Sequence, residues 1–199
     1  AGINSGVDHQ TLGGGPYARN ADGSLKGGAV QLPGLDLKTY PNAVYYASQD
    51  IGLAQIARSD NGGLTFGLAV PMWTLVQCGG LHGHIKVAPD GTVYVPNKSC
   101  GGEQGVAVSE DNGLTWSVRT VPGSSSGRTD PSVGIGSDGT IYLAYANGLD
   151  LSVQPVFDVA QLAAGERRLP IPAWAQHPGR GAEPPGSSVR RRRSPPVAR

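Results

Sequence analysis

An eight-residue motif occurs twice in this chain at an offset of 50 residues. Ser59-Asp60-Asn61-Gly62-Gly63-Leu64-Thr65-Phe66 returns as Ser109-Glu110-Asp111-Asn112-Gly113-Leu114-Thr115-Trp116. A second element keeps nearly the same step. Pro89-Asp90-Gly91-Thr92-Val93-Tyr94 returns 48 residues later as Ser137-Asp138-Gly139-Thr140-Ile141-Tyr142. Val44-Tyr45-Tyr46 is a degenerate earlier copy, placed before Ser59 much as Tyr94 is placed before Ser109. Repetition at a fixed period means stacked supersecondary units, each unable to bury its apolar face alone. The units are strands rather than helices. The 199 residues include 31 Gly and 16 Pro, and that density of turn formers disfavours helix bundles and coiled coils. No apolar run is long enough for a membrane-spanning helix.

The best-preserved unit divides into four short strands. His84–Ala88 alternates apolar and polar residues, and Pro89-Asp90-Gly91 is a tight turn. Thr92–Val95 follows and Pro96 is expected to stop it. Asn97–Gln104 reads as a loop, Gly105–Ser109 as the third strand and Leu114–Thr120 as the fourth. Four antiparallel strands at a period near 50 predict an all-β fold, a β-propeller of four-stranded blades. About three blades are expected, incomplete: units near 27–70 and 84–121, and an unfinished one at 132–148. A closed propeller has four to eight blades, so missing blades or self-association are expected to complete the fold.

The motif itself resembles the Asp-box, or BNR repeat, Ser-x-Asp-x-Gly-x-Thr-Trp, of the sialidase-like superfamily. Its positions here are Ser109, Asp111, Gly113, Thr115 and Trp116, and, more degenerate, Ser59, Asn61, Gly63, Thr65 and Phe66. The resemblance covers roughly residues 40–148. In that family the motif joins the third and fourth strands of a blade, where the strand division above independently puts it. The motif's chemistry is local: Asp or Asn accepts N–H bonds within its own turn, Gly takes the left-handed conformation and the aromatic ring packs the hairpin. Asp111 is therefore expected to staple a turn rather than to act as a catalytic acid.

The resemblance implies an exo-α-sialidase-type glycoside hydrolase acting on terminal sialic acids, with no cofactor. Its alternative is a non-catalytic secreted propeller that binds glycan or protein ligands. The family's catalytic parts are three arginines on the substrate carboxylate, a Tyr nucleophile with a Glu, and an Asp acid/base. None transfers by motif, since only Arg19, Arg58, Arg119 and Arg128 precede residue 150. The family's site lies on the face opposite the Asp-boxes, formed by the connections between blades and between second and third strands. Those connections hold His82, His84, Lys98, Glu103, Arg128 and Asp130, the candidate ligand-face residues. Four of them have a plainer reading as well: His82 and His84 as hydrogen-bonded histidines at a strand start, and Arg128 and Asp130 as a surface pair.

Cys78 and Cys100 fall on the same face, each followed by Gly-Gly. A disulfide closing this ~22-residue loop contributes about 3 kcal/mol in the chain-entropy model. Free thiols, or a metal site built with His82 and His84, are the competing readings, though the spacing matches no standard zinc module. The disulfide reading places the chain in an oxidising, secreted setting.

Charge divides the chain. Residues 1–150 hold 8 basic and 12 acidic residues, and residues 151–199 hold 8 Arg and 3 acids. Residues 149–199 read as a Pro/Arg-rich tail. A disordered polyanion-binding tail, a linker, and a shifted reading frame all fit it. On the last reading Arg190–Arg193 carries no role, and no nucleic-acid partner is expected. Gly6–Gly34 is the least patterned stretch. Asp8, His9 and Gln10 read as a polar loop, and Gly13-Gly14-Gly15 lacks the strand-then-helix setting of a phosphate loop.

Overall fold

The protein is described by a computed structural model that covers residues 8–28, 40–49, 53–147 and 150–156. Those residues are all-β, with antiparallel pairing throughout and no helix. Sheet I contains β1 (Asp8–Pro16), β2 (Asn42–Gln49), β3 (Ala54–Ser59) and β4 (Val70–Pro71). Sheet II contains β5 (Lys86–Val87), β6 (Val93–Cys100), β7 (Glu103–Ser109) and β8 (Ser117–Thr120). Sheet III contains β9 (Ser132–Ile135), β10 (Ile141–Asn147) and β11 (Asp150–Val156). Strands lie in each sheet in chain order, so every connection is a hairpin between neighbours.

The three sheets stack face to face through two cores. Ala43, Tyr45, Ala47 and Ile56 of sheet I meet Ile85, Val93, Val95 and Ala107 of sheet II in the first. Tyr94, Val106 and Val108 from the other face of sheet II meet Val133, Ile141, Leu143 and Tyr145 of sheet III in the second. Successive residues of a strand point to opposite faces. Val93 and Val95 therefore serve one core while Tyr94 serves the other. That is why β6 is apolar without alternation: both of its faces are covered.

Four sequence expectations change. The first unit begins at residue 8 rather than near 27, because Asp8–Pro16 is a strand and not a polar loop. Its buried side is glycine backbone. A Cβ on Gly13 would stand 2.7 Å from Ile85, and one on Gly15 2.6 Å from Val87. The Asn97–Gln104 loop is instead a strand hairpin, β6 running to Cys100 and β7 starting at Glu103. Gly101 and Gly102, both at positive φ, make its two-residue turn. Pro96 does not end β6 but lies within it, opposite Val106. Its carbonyl accepts from Gly83 N, so the edge lacking an N–H faces the 79–83 segment and not the β7 ladder. Finally, strand pairing continues past 148. Asp150–Val156 pairs along β10 in continuous register, and its Leu-Ser-Val-Gln alternation is the sequence trace of that strand. Residues 157–199 lie outside the described residues.

Candidate functional site

The two Asp-box-like turns hold themselves together by the same bonds. At the second, Ser109 Oγ donates to Asp111 Oδ1 at 2.8 Å and accepts from Gly113 N at 2.8 Å. Asp111 Oδ1 also accepts from Leu114 N at 3.1 Å and Thr115 N at 2.9 Å, and Thr115 Oγ1 donates to Oδ2. Trp116 Nε1 closes on Gly113 O at 3.1 Å. Burial pushes the Asp111 carboxyl upward, but these hydrogen bonds outweigh it and hold the pKa below the usual carboxylate range. At the first, Ser59 Oγ donates to Asn61 Oδ1 at 2.8 Å and accepts from Gly63 N at 2.9 Å, and Thr65 N donates to Asn61 Oδ1 at 2.9 Å. Phe66 lies 5.9 Å from the Tyr46 ring. All ten motif residues are thus accounted for by hairpin structure.

The candidate ligand-face residues gather at the other end of the sheets. Here the 78–83 segment runs antiparallel along the end of β6, bridging Cys78 to Cys100 and His82 to Asn97. Cys78 and Cys100 are joined by a disulfide with Cα atoms 4.0 Å apart, which removes both as metal ligands. Buried amides finish the joint. Asn97 Nδ2 donates to Gly80 O at 2.6 Å and Gln49 Nε2 to the same oxygen at 3.2 Å, while Gln49 Oε1 accepts from His82 N at 3.2 Å. Gly80 is required by close approach, since a Cβ there would lie 2.8 Å from both Asn97 Oδ1 and Ser99 N.

Over this joint, residues from three sheets meet. Asp130, just before β9, has Oδ1 3.4 Å from Lys98 Nζ and Oδ2 3.4 Å from His9 Nε2. Both partners sit in bulges. His9 has φ 55° at the register shift between Asp8 and Gln10, and Lys98 lies in the shift between Asn97 and Cys100. A bulge breaks the pleat and re-aims a side chain. The Arg128–Asp130 surface pair is not formed; Asp130 takes Lys98 and His9 instead, and Arg128 is exposed nearby in the chain.

The remaining candidates take different places. His84 is exposed, with Nδ1 3.1 Å from Thr11 Oγ1 of β1. Glu103 is half-buried and its Oε1 accepts from Gly123 N at 3.1 Å. His82 is wholly buried rather than facing ligand. Its Nδ1 donates to Gly83 O at 2.8 Å, and the His9 and Trp73 rings stand edge-on at 5.1 and 6.4 Å. Burial holds its pKa below the usual histidine value, so it stays neutral and supports the loop. His9, Gln49 and Asn97 were missed from sequence. His9 hides in a strand whose glycines erase the alternation, and an isolated Gln or Asn announces nothing until its partners are known.

No family model matches this chain, and no curated protein matches it. No helix among the described residues is long and apolar enough to cross a membrane.

Proposed function

We propose that this chain is part of a secreted Asp-box β-propeller of the sialidase-like kind, and that it binds a glycan at the disulfide-bearing end of its sheets. One observation carries the reading. Three separate segments each send a polar side chain to one cluster, His9 from sheet I, Lys98 from sheet II and Asp130 from the connection ahead of sheet III. Polar groups drawn from separate elements onto a rigid joint are what a polar ligand needs, and the disulfide and buried amides stiffen that joint. The disulfide also fits an oxidising compartment. Titration of the protein against sialylated and neutral oligosaccharides tests the proposal. Saturable binding is expected, weakened at least tenfold by Asp130→Ala. A folded protein that binds none of them overturns it.

Hydrolysis of terminal sialic acids is the second reading. It is favoured by the contact between Asp130 and His9, which sets a carboxylate beside an imidazole. Against it, the arginines are dispersed. Arg58 is buried beside the Asp-box turns, Arg19 is bonded to Gly23 O, Arg119 lies on β8, and Arg128 alone is near Asp130 in the chain. The described residues thus form no three-arginine clamp. Release of the fluorophore from a sialoside substrate, abolished by Asp130→Asn, would favour the hydrolase over the binding module.

A further inference from the structure

Asn97-Lys98-Ser99 is the one Asn-x-Ser/Thr acceptor sequence for Asn-linked glycosylation among the 199 residues. Such sequences are modified where they lie in exposed loops. This one lies at the end of β6, inside the disulfide-bearing joint. Asn97 is 0% exposed, and both ends of its amide are used. Nδ2 donates to Gly80 O at 2.6 Å, and Oδ1 accepts from Ser99 N at 2.8 Å. The backbone around it is committed as well, Gly83 N donating to Pro96 O, Lys98 N to Leu81 O and Gly79 N to Ser99 O. The Ser99 hydroxyl is bonded to that of Ser126 at 2.8 Å.

Asn-linked glycosylation joins the amide nitrogen to the anomeric carbon of an oligosaccharide carried on a lipid pyrophosphate. That carbon's bond to the pyrophosphate breaks, the lipid pyrophosphate leaves, and the nitrogen loses one proton. A sugar placed on Asn97 Nδ2 has no room in the folded joint. Even a Cβ on Gly80 would stand 2.7 Å from Lys98 Cγ and 2.8 Å from Asn97 Oδ1 and Ser99 N. The 78–83 segment closes this space, held along β6 by the Cys78–Cys100 disulfide and by the second buried amide, Gln49. The lumen of the endoplasmic reticulum is oxidising, so disulfide closure and glycan transfer compete there for the same stretch of chain.

We infer that Asn97 is a glycan acceptor closed by folding: it is modified only while the 78–83 segment is undocked, and a chain that carries the glycan does not complete the joint. Lys98, which reaches Asp130, is the middle residue of the acceptor sequence. A glycosylated chain therefore loses that cluster as well. The inference does not depend on what the cluster binds.

Translation of the full chain, behind an added secretory leader, into microsomes of the endoplasmic reticulum tests it. Under oxidising conditions the chain is expected to stay largely unmodified. Dithiothreitol during translation, or Cys78→Ser, should raise the glycosylated fraction at least fivefold, read as a mobility shift removed by endoglycosidase. Ser99→Ala should abolish the shift under every condition while leaving the Asn97 amide in place. Molecules that carry the glycan, isolated on a lectin, should be cleaved by protease at least tenfold faster than glycan-free molecules from the same oxidising translation. A glycan-bearing pool as resistant as the glycan-free one overturns the exclusion. Equal glycosylation with and without reductant overturns protection by the docked segment. No glycan on either the reduced chain or Cys78→Ser overturns Asn97 as an acceptor.

Discussion

The two Asp-box-like hairpins share their internal wiring and differ in everything around it. In both, a Ser hydroxyl and a side-chain oxygen two residues on hold the same turn, with a Thr N–H as the third anchor. Their variable positions do different work. In the first, Asp60 is buried, paired with Arg58 Nε at 2.9 Å and accepting from Tyr17 OH at 2.9 Å. Its counterpart in the second, Glu110, is exposed. In the second, Asn112 is fully buried and reaches across to sheet I's connection, accepting from Ala18 N at 2.7 Å and donating to Ala18 O and Lys26 O. Its counterpart in the first is Gly62. Arg58 then ties the two turns, donating to Asn112 O at 2.9 Å. The motif positions close the hairpin, and the positions between them stitch hairpins together.

The largest test of that difference is at Asp60 and Glu110. Asp60→Ala leaves Arg58 as a buried charge without its carboxylate and should cost about 3–5 kcal/mol. Glu110→Ala should stay within about 0.5 kcal/mol, as exposed substitutions do. Urea unfolding of the two variants measures both, and equal losses would break the distinction. The next is Asn112→Gly, which gives the second turn the residue of the first. Asn112 has φ 62° and Gly62 φ 72°, so glycine keeps the backbone and removes only the side-chain bonds. A loss of about 2–3 kcal/mol is expected from the buried groups left unpaired.

The smallest effect is electrostatic and distinguishes Asn61 from Asp111. The Asp111 pKa is lowered in the folded state by its hydrogen bonds. Its contribution is therefore present above the unfolded carboxylate pKa of about 3.9 and is lost as pH falls through the folded value. Asn61 does not titrate. Asp111→Asn should flatten the fall of melting temperature below about pH 4 and change stability at pH 7 by less than about 1 kcal/mol, given its partial exposure. Melting curves from pH 2 to 7 decide this, and an unchanged acid slope would assign the acid sensitivity elsewhere.

Legibility in the sequence follows the range of the bonds. Sheet II was read almost strand for strand, because its apolar residues and turn glycines lie within about one repeat. Sheet I was not. The buried face of β1 is Gly13 and Gly15 receiving Ile85 and Val87, a surface without side chains and so without a hydrophobic pattern. At the candidate site, Lys98 and Asp130 were picked out as charged loop residues, but their meeting was not foreseeable. The plain expectation for Asp130 was Arg128, two residues away, and a bulge brought Lys98 to it instead. His82 was expected on the ligand face, and its burial under His9 and beside Trp73 came from two distant segments.

The amino-acid sequence by itself determined the repeating hairpins, since the bonds that Ser109, Asp111, Gly113, Thr115 and Trp116 make with one another close within eight residues. It left Cys78 and Cys100 open between a disulfide, free thiols and a metal site, and the structure joins them as a disulfide. Only the tertiary structure decided which charges face one another. His9 and Asp130 stand far apart in the chain, and their contact depends on β1 and β9 flanking the same sheet. Contacts of that separation follow from how whole faces pack, not from any local pattern.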